Sequence, residues 1–163
     1  DQVWCTDITY IPLQRGFAYL VAVMDWHTRA VLSWRISNTL DTSFCLEALQ
    51  EAHRTAGCSP EIFNTDQGCQ FTSEAWIEAV EAMGSKVSMD GRGRWMDNVF
   101  IERLWRSLKC EDIYLKDYRN VPELEEGVRR WMEDYNHERI HQGLDYEYPW
   151  SLYRPEPELA EAA

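Results

Sequence analysis

The sequence predicts a mixed α/β fold: a five-stranded sheet whose first three strands are antiparallel, helices on both sides of it, and a further long helix near the C-terminal end. Three observations carry this. Residues 3–37 contain three closely spaced runs rich in Val, Ile, Tyr and Trp, the pattern of a meander. Beyond residue 40 the apolar period turns helical and then alternates between helices and short strands. With 163 residues, 45% of them hydrophobic, the chain can bury a sizeable core as one domain.

The first strand is VWCTDITYI, residues 3–11. Asp7 sits in its middle, although Asp is depleted in strands and costly to bury. RGFAYLVAVMDWHTRAVLSWRIS supplies two more runs, about 17–25 and 30–37, joined at the turn-like DWHTR, where Asp25 can hydrogen-bond the turn. In LDTSFCLEALQEAHRTAG, Phe44, Ala48, Leu49 and Ala52 recur at helical spacing, Asp41 or Thr42 can cap the start and Gly57 can close the end. EIFNTDQG reads as a short strand ending at Asp66, with Gly68 supplying a tight turn. Thr72 or Ser73 opens a helix with Trp76, Val80 and Met83 on one face; Gly84 ends it before a short strand, KVSM. DGRGRW is a two-glycine loop, after which Asp97 can cap a helix to about Cys110 with Val99, Leu104 and Leu108 facing the core. The last long helix starts near Pro122 and turns Leu124, Val128, Trp131 and Tyr135 inward; the tail RPEPELAEAA reads as acidic and frayed.

No apolar run approaches the roughly 18–20 residues that cross a bilayer, and no signal peptide is evident, so a soluble intracellular protein is expected. The five cysteines form no C-x-x-C pair, and reduced, mostly buried thiols are expected. A net charge of −12 taken alone opposes a nucleic-acid partner. The distribution is less hostile: from Lys86 to Lys109 six basic residues meet three acids, a local +3, leaving −15 for the remainder.

Three carboxylates stand at special places: Asp7 on the first strand, Asp66 at the end of the fourth, and Glu102 on the helix after the glycine loop, with 35 residues between the last two. If the first and fourth strands are neighbours, the three can converge and bind hard cations. The stretches WCTDITYI, DWHTRAVLSW, NTDQGCQFTS, DNVFIERLWRSLKCEDIY and YNHERIHQGLDYEYP, in this order over residues 2–153, resemble the catalytic core of DDE transposases and retroviral-type integrases, most closely the bacterial insertion-sequence transposases of the IS-three type.

That resemblance implies a ribonuclease H-like fold and a polynucleotidyl transferase that cleaves DNA at element ends and joins it to target DNA. It implies two Mg²⁺ or Mn²⁺ ions held by Asp7, Asp66 and Glu102, with Asp7 bridging both. Lys109, seven residues after the glutamate, would contact phosphate, and Arg106, Arg92, Arg94 and Asn98 would help hold DNA; Asn98, Glu102, Arg106 and Lys109 share a helical face at i−4, i, i+4 and i+7. DNA and a homo-oligomer on DNA are the implied partners, with no membrane and no small-molecule cofactor, in a bacterial cytoplasm at the nucleoid. The implied core spans residues 1–153, ribonuclease H-like to about 115 with a C-terminal helix and YN-R-H segment at 120–153, followed by an acidic tail, 154–163. No helical DNA-binding region precedes the core in these residues, as expected of an excised or truncated catalytic domain.

Other readings stay open. A ribonuclease H-like nuclease without strand transfer would use the same acids, and a non-catalytic domain of this fold would not need all three. Glu102 and Arg106 could be an ordinary solvated i,i+4 pair. HERIH, residues 137–141, satisfies the H-E-x-x-H pattern of zinc metallopeptidases. Against zinc, Tyr135, Asn136, Arg139, His141 and Leu144 fit the YN-R-H-L pattern of the resembled family, and Asn136 and Gly143 bracket the segment as helix-ending residues.

Overall fold

A computed structural model of the chain describes residues 1–89 and 98–154. β1 (Val3–Pro12), β2 (Phe17–Asp25) and β3 (Val31–Ser37) form the antiparallel meander; β4 (Ile62–Thr65) and β5 (Lys86–Met89) extend it in parallel, in the order β3-β2-β1-β4-β5. The β2–β3 turn is tied by Asp25, whose Oδ2 accepts from Thr28 N–H at 2.9 Å and from its hydroxyl at 2.8 Å. α1 (Ser43–Ala56) and α2 (Glu74–Ala82) make the crossovers that parallel strands require.

Alternation along the strands sorts side chains between two cores. Trp4, Val21, Val23 and Phe63 face α1 and α2 and pack with Phe44, Leu49 and Trp76. Cys5, Ile11, Leu20, Ala22 and Met24 face the other way, under α3 (Val99–Leu108) and α5 (Val121–His137). The helix ends follow their local chemistry. Gly57 closes α1 at φ +69°, Ser73 accepts from Trp76 N–H, and Asn120 accepts from Glu123 N–H at 3.0 Å. At the start of α1 the cap residue Thr42 makes no side-chain bond, and the Asp41 carboxylate takes Ser43 N–H at 3.0 Å instead.

α3 does not stop near Cys110. It runs on through a π-helical stretch, Lys109–Ile113, into one further α turn, α4 (Tyr114–Lys116). The wider turn lets consecutive residues Asp112 and Ile113 both be buried. Asp112 is satisfied there by the Tyr118 hydroxyl, which donates to Oδ2 at 2.6 Å, and by Lys116. α5 carries Leu124, Val128, Trp131 and Tyr135 into the core, as the spacing predicts. Asn136 lies one residue before the end of α5, as a helix-ending residue should, and is buried there: its amide group donates to Val31 O and accepts from Val31 N, both at 2.9 Å, fastening the helix to β3. α6 (Pro149–Tyr153) packs back toward the α1–α2 side.

The glycine loop, with Arg92, Arg94 and the expected cap Asp97, and the acidic tail beyond Arg154 lie outside the described residues. The thiols are less buried than expected: Cys5 and Cys45 are buried, Cys58 is half-buried, and Cys69 and Cys110 are exposed. No helix among the described residues is long and apolar enough to cross a membrane.

Candidate active site

Asp7 belongs to the odd-numbered face of β1, the side covered by α3, because Cys5 and Ile11 point there. The β1–β4 register pairs Cys5 with Asn64; continued by two residues, it sets Asp66 level with Asp7, one residue past the end of β4. Burying Ile101, Leu104, Trp105 and Leu108 under α3 then fixes the helix rotation, leaving Glu102 and Arg106 exposed and Lys109 half-buried.

Electrostatics tie these groups together. The half-buried Asp7 carboxyl is pushed up from 3.8 to about 6, mainly by desolvation, with the negative charges of Asp66 and Glu102 adding to the rise. The Trp105 indole opposes it, donating Nε1–H to Asp7 Oδ2 at 2.9 Å. Burial lowers the Lys109 ammonium, and Asp7 partly restores it, so the lysine lies within the field of the same carboxylate. Asp66 Oδ1 accepts the N–H of Gly68 at 2.9 Å, holding this acid in its own turn. Among the described residues no three His, Cys, Asp or Glu side chains converge tightly enough to hold an ion as they stand. Two like charges, Asp66 and Glu102, act on the half-buried Asp7 carboxylate and disfavour its ionised form.

Asn98 departs from the DNA-facing role expected of it. It is the buried residue before α3, makes no capping bond, and its Oδ1 finds no hydrogen-bond partner among the described residues. Trp105 was not among the site residues expected from sequence. The signal was an indole three residues after Glu102 on the same helix, indistinguishable by spacing from a core aromatic.

The zinc reading of HERIH fails on geometry. α5 ends at His137, so the two histidines do not share a helical face. His137 packs on Trp150 at 5.5 Å and His141 on Tyr135 at 4.9 Å. Burial, and after it the charges of Arg29 and Arg139, depress His141, and those two charges repel a dication.

The sheet order and the flanking helices are those of the ribonuclease H-like fold. Residues 1–94 match one family model and residues 83–149 a second, each described as an integrase core domain, and the chain belongs to that family. The transposase for insertion sequence element IS629 of Shigella sonnei is 29% identical over 149 residues, covering 91% of this chain and 50% of the relative. Transposase InsF for insertion sequence IS3A of Escherichia coli (strain K12) is 32% identical over 143 residues, covering 86% and 50%. The chain thus spans about half the length of these curated relatives. The HTLV-2 integrase catalytic core domain, solved in complex with magnesium in a dimeric form, superposes with a TM-score of 0.73 at 21% identity, covering 93% of this chain and 95% of that one. A chain of the simian T-cell lymphotropic virus intasome superposes at 0.80 and 20% identity, covering 97% and 55%.

Proposed function

We propose that this chain is the catalytic core of an insertion-sequence transposase, cutting DNA at the element's ends and joining those ends to target DNA. One observation carries the reading: the register of β1 and β4 sets Asp66 level with Asp7, and the charges of Asp66 and of Glu102 on α3 both bear on that half-buried Asp7 carboxyl, which burial first of all raises to about 6. The donor set suits magnesium or manganese, being all carboxylate oxygen with uncompensated negative charge. Asp7, Asp66 and Glu102 would hold two such ions. Bound there, the metals would supply activation of the attacking oxygen and stabilisation of the leaving one.

The protein's own groups do the rest. Trp105 orients the Asp7 carboxylate by donating to Oδ2. Lys109, beside Asp7, is placed to take a phosphate oxygen, and exposed Arg106 to take a neighbouring one. No side-chain nucleophile is needed, because water attacks in cleavage and the freed 3′-hydroxyl in joining. DNA and a second copy of the chain on it are the proposed partners.

The test is Mg²⁺- or Mn²⁺-dependent cleavage and end-joining on duplex DNA. Asp7→Asn, Asp66→Asn and Glu102→Gln are each expected to abolish both, with circular dichroism unchanged. Full activity in any of the three would exclude that acid. Cutting of RNA–DNA hybrids without end-joining would favour the nuclease reading instead.

A further inference from the structure

The composition of this chain is contradicted in one place. Between α3, the β2–β3 turn and the segment following α5 lies a cavity of about 240 Å³, several times the roughly 30 Å³ that one water occupies in the liquid. Arg29, Arg103, Arg139, Ser107, His141 and Gln142 line it, and among the described residues no Asp or Glu does. In a chain of net charge −12, three guanidiniums around one acid-free cavity need a reason.

Arg139 has its own counter-ion in Glu111 and lies over Trp131. Arg29 and Arg103 form no ion pair among the described residues. The position of Arg29 is tightly specified. Its backbone is left-handed, φ +61°, where Gly or Asn is the ordinary occupant of a turn. Its guanidinium lies 4.7 Å over the Phe100 ring and donates to Gly143 O at 3.4 Å. Gly143 makes room for it, since a Cβ there would stand 2.5 Å from Nη2. His141 also lines the cavity, with its Nε2 sealed inside the protein and without a hydrogen-bond partner among the described residues. Burial and the two arginines hold this imidazole down at about 4, hence neutral at pH 7.

We propose that this cavity is a phosphate site for the DNA backbone, with Arg29 and Arg103 supplying charge, Ser107 and Gln142 supplying hydrogen bonds, and His141 forming part of the wall. The proposal rests on the transposase reading for the identity of its ligand. Arg103 and Ser107 are i,i+4 neighbours on α3, rotated roughly 100–140° from Glu102 about the helix axis. A phosphate held there lies on DNA running past the carboxylates rather than over them, and orients the duplex on the helix.

The test has two arms on the 163-residue chain. Inorganic phosphate is titrated while the His141 Hε1 resonance is followed by NMR. Binding of a labelled duplex is measured against salt. The expected result is a saturable shift of His141, lost in R29Q/R103Q and also in Gly143→Ala, which displaces Arg29 and removes no charge. In R29Q/R103Q the slope of log K against log[salt] should fall by about one or more, since each phosphate neutralised contributes about 0.9. A His141 response with an unchanged slope overturns the DNA assignment in favour of a free phosphate-bearing ligand. No response and an unchanged slope overturn the site. If both arms succeed while the wild-type chain neither cleaves nor joins DNA, the phosphate site stands and the catalytic reading falls.

Discussion

The indole of Trp105 and the carboxylate of Asp7, 98 positions apart, meet in a 2.9 Å hydrogen bond that joins α3 to the middle of β1. It binds the ionised form of an acid that its surroundings push toward neutrality. Trp105→Phe keeps the packing and removes the donor. The Asp7 carboxyl should then titrate above its present value of about 6, as read from carboxyl ¹³C shifts against pH. Metal-dependent activity, if the transposase reading holds, should require more Mg²⁺ at pH 7. An unchanged titration would mean that the bond does not hold in solution.

Asp7 also makes stability depend on pH, with a definite sign. Its pKa is about 6 folded against an ordinary 3.8, so between those values the folded chain binds more protons than the unfolded one. Stability therefore falls as pH rises from about 4 to 6 and stays lowered above, by at most about 3 kcal/mol. Asp7→Asn should raise Tm at pH 7.5 by roughly 5–10 °C without metal, and the difference should vanish below pH 4. A lower Tm for the variant at pH 7.5 would make Asp7 a structural anchor.

Magnesium should reverse that penalty in the wild type. At ten times its Kd an ion bound only by the folded state adds about 1.4 kcal/mol, a few degrees of Tm. Asp7→Asn should lose this response, and Lys109→Ala should keep it. Equal magnesium stabilisation in wild type and Asp7→Asn would place the ion elsewhere.

Asn136→Ala removes both bonds to Val31, leaving a buried N–H and C=O of strand β3 without their partner. The expected cost is about 2–4 kcal/mol in urea unfolding, with faster hydrogen exchange at the Val31 amide. A loss under 0.5 kcal/mol would mean water replaces the amide.

Gly127→Ala places a Cβ 1.7 Å from the Tyr118 hydroxyl, which is bound to buried Asp112. Alanine's better helix propensity, about 1 kcal/mol, offsets part of the strain, so a net loss of roughly 1–3 kcal/mol is expected. Tyr118→Phe combined with Gly127→Ala should fare no better, because the ring itself still lies within 3 Å.

What the sequence determined by itself was the order of strands and helices and which element carries each acid. Hydrophobic period and turn chemistry are local: Gly57, Ser73 and the inward face of α5 could be read from neighbours within a few residues. That Asp7 and Asp66 stand on neighbouring strands was half-legible, through the expectation that the first and fourth strands adjoin, and the parallel β1–β4 register supplies the rest. The end of the last long helix at the first HERIH histidine was legible too; tertiary structure alone decided that Trp105 spends its N–H on Asp7 and that Asn136 clamps β3. It also decided that Arg29 and Arg103, 74 positions apart, line one cavity. Each of these depends on the rotation of a helix against the sheet. Close packing of side chains distant in sequence sets that rotation, and no local pattern encodes it.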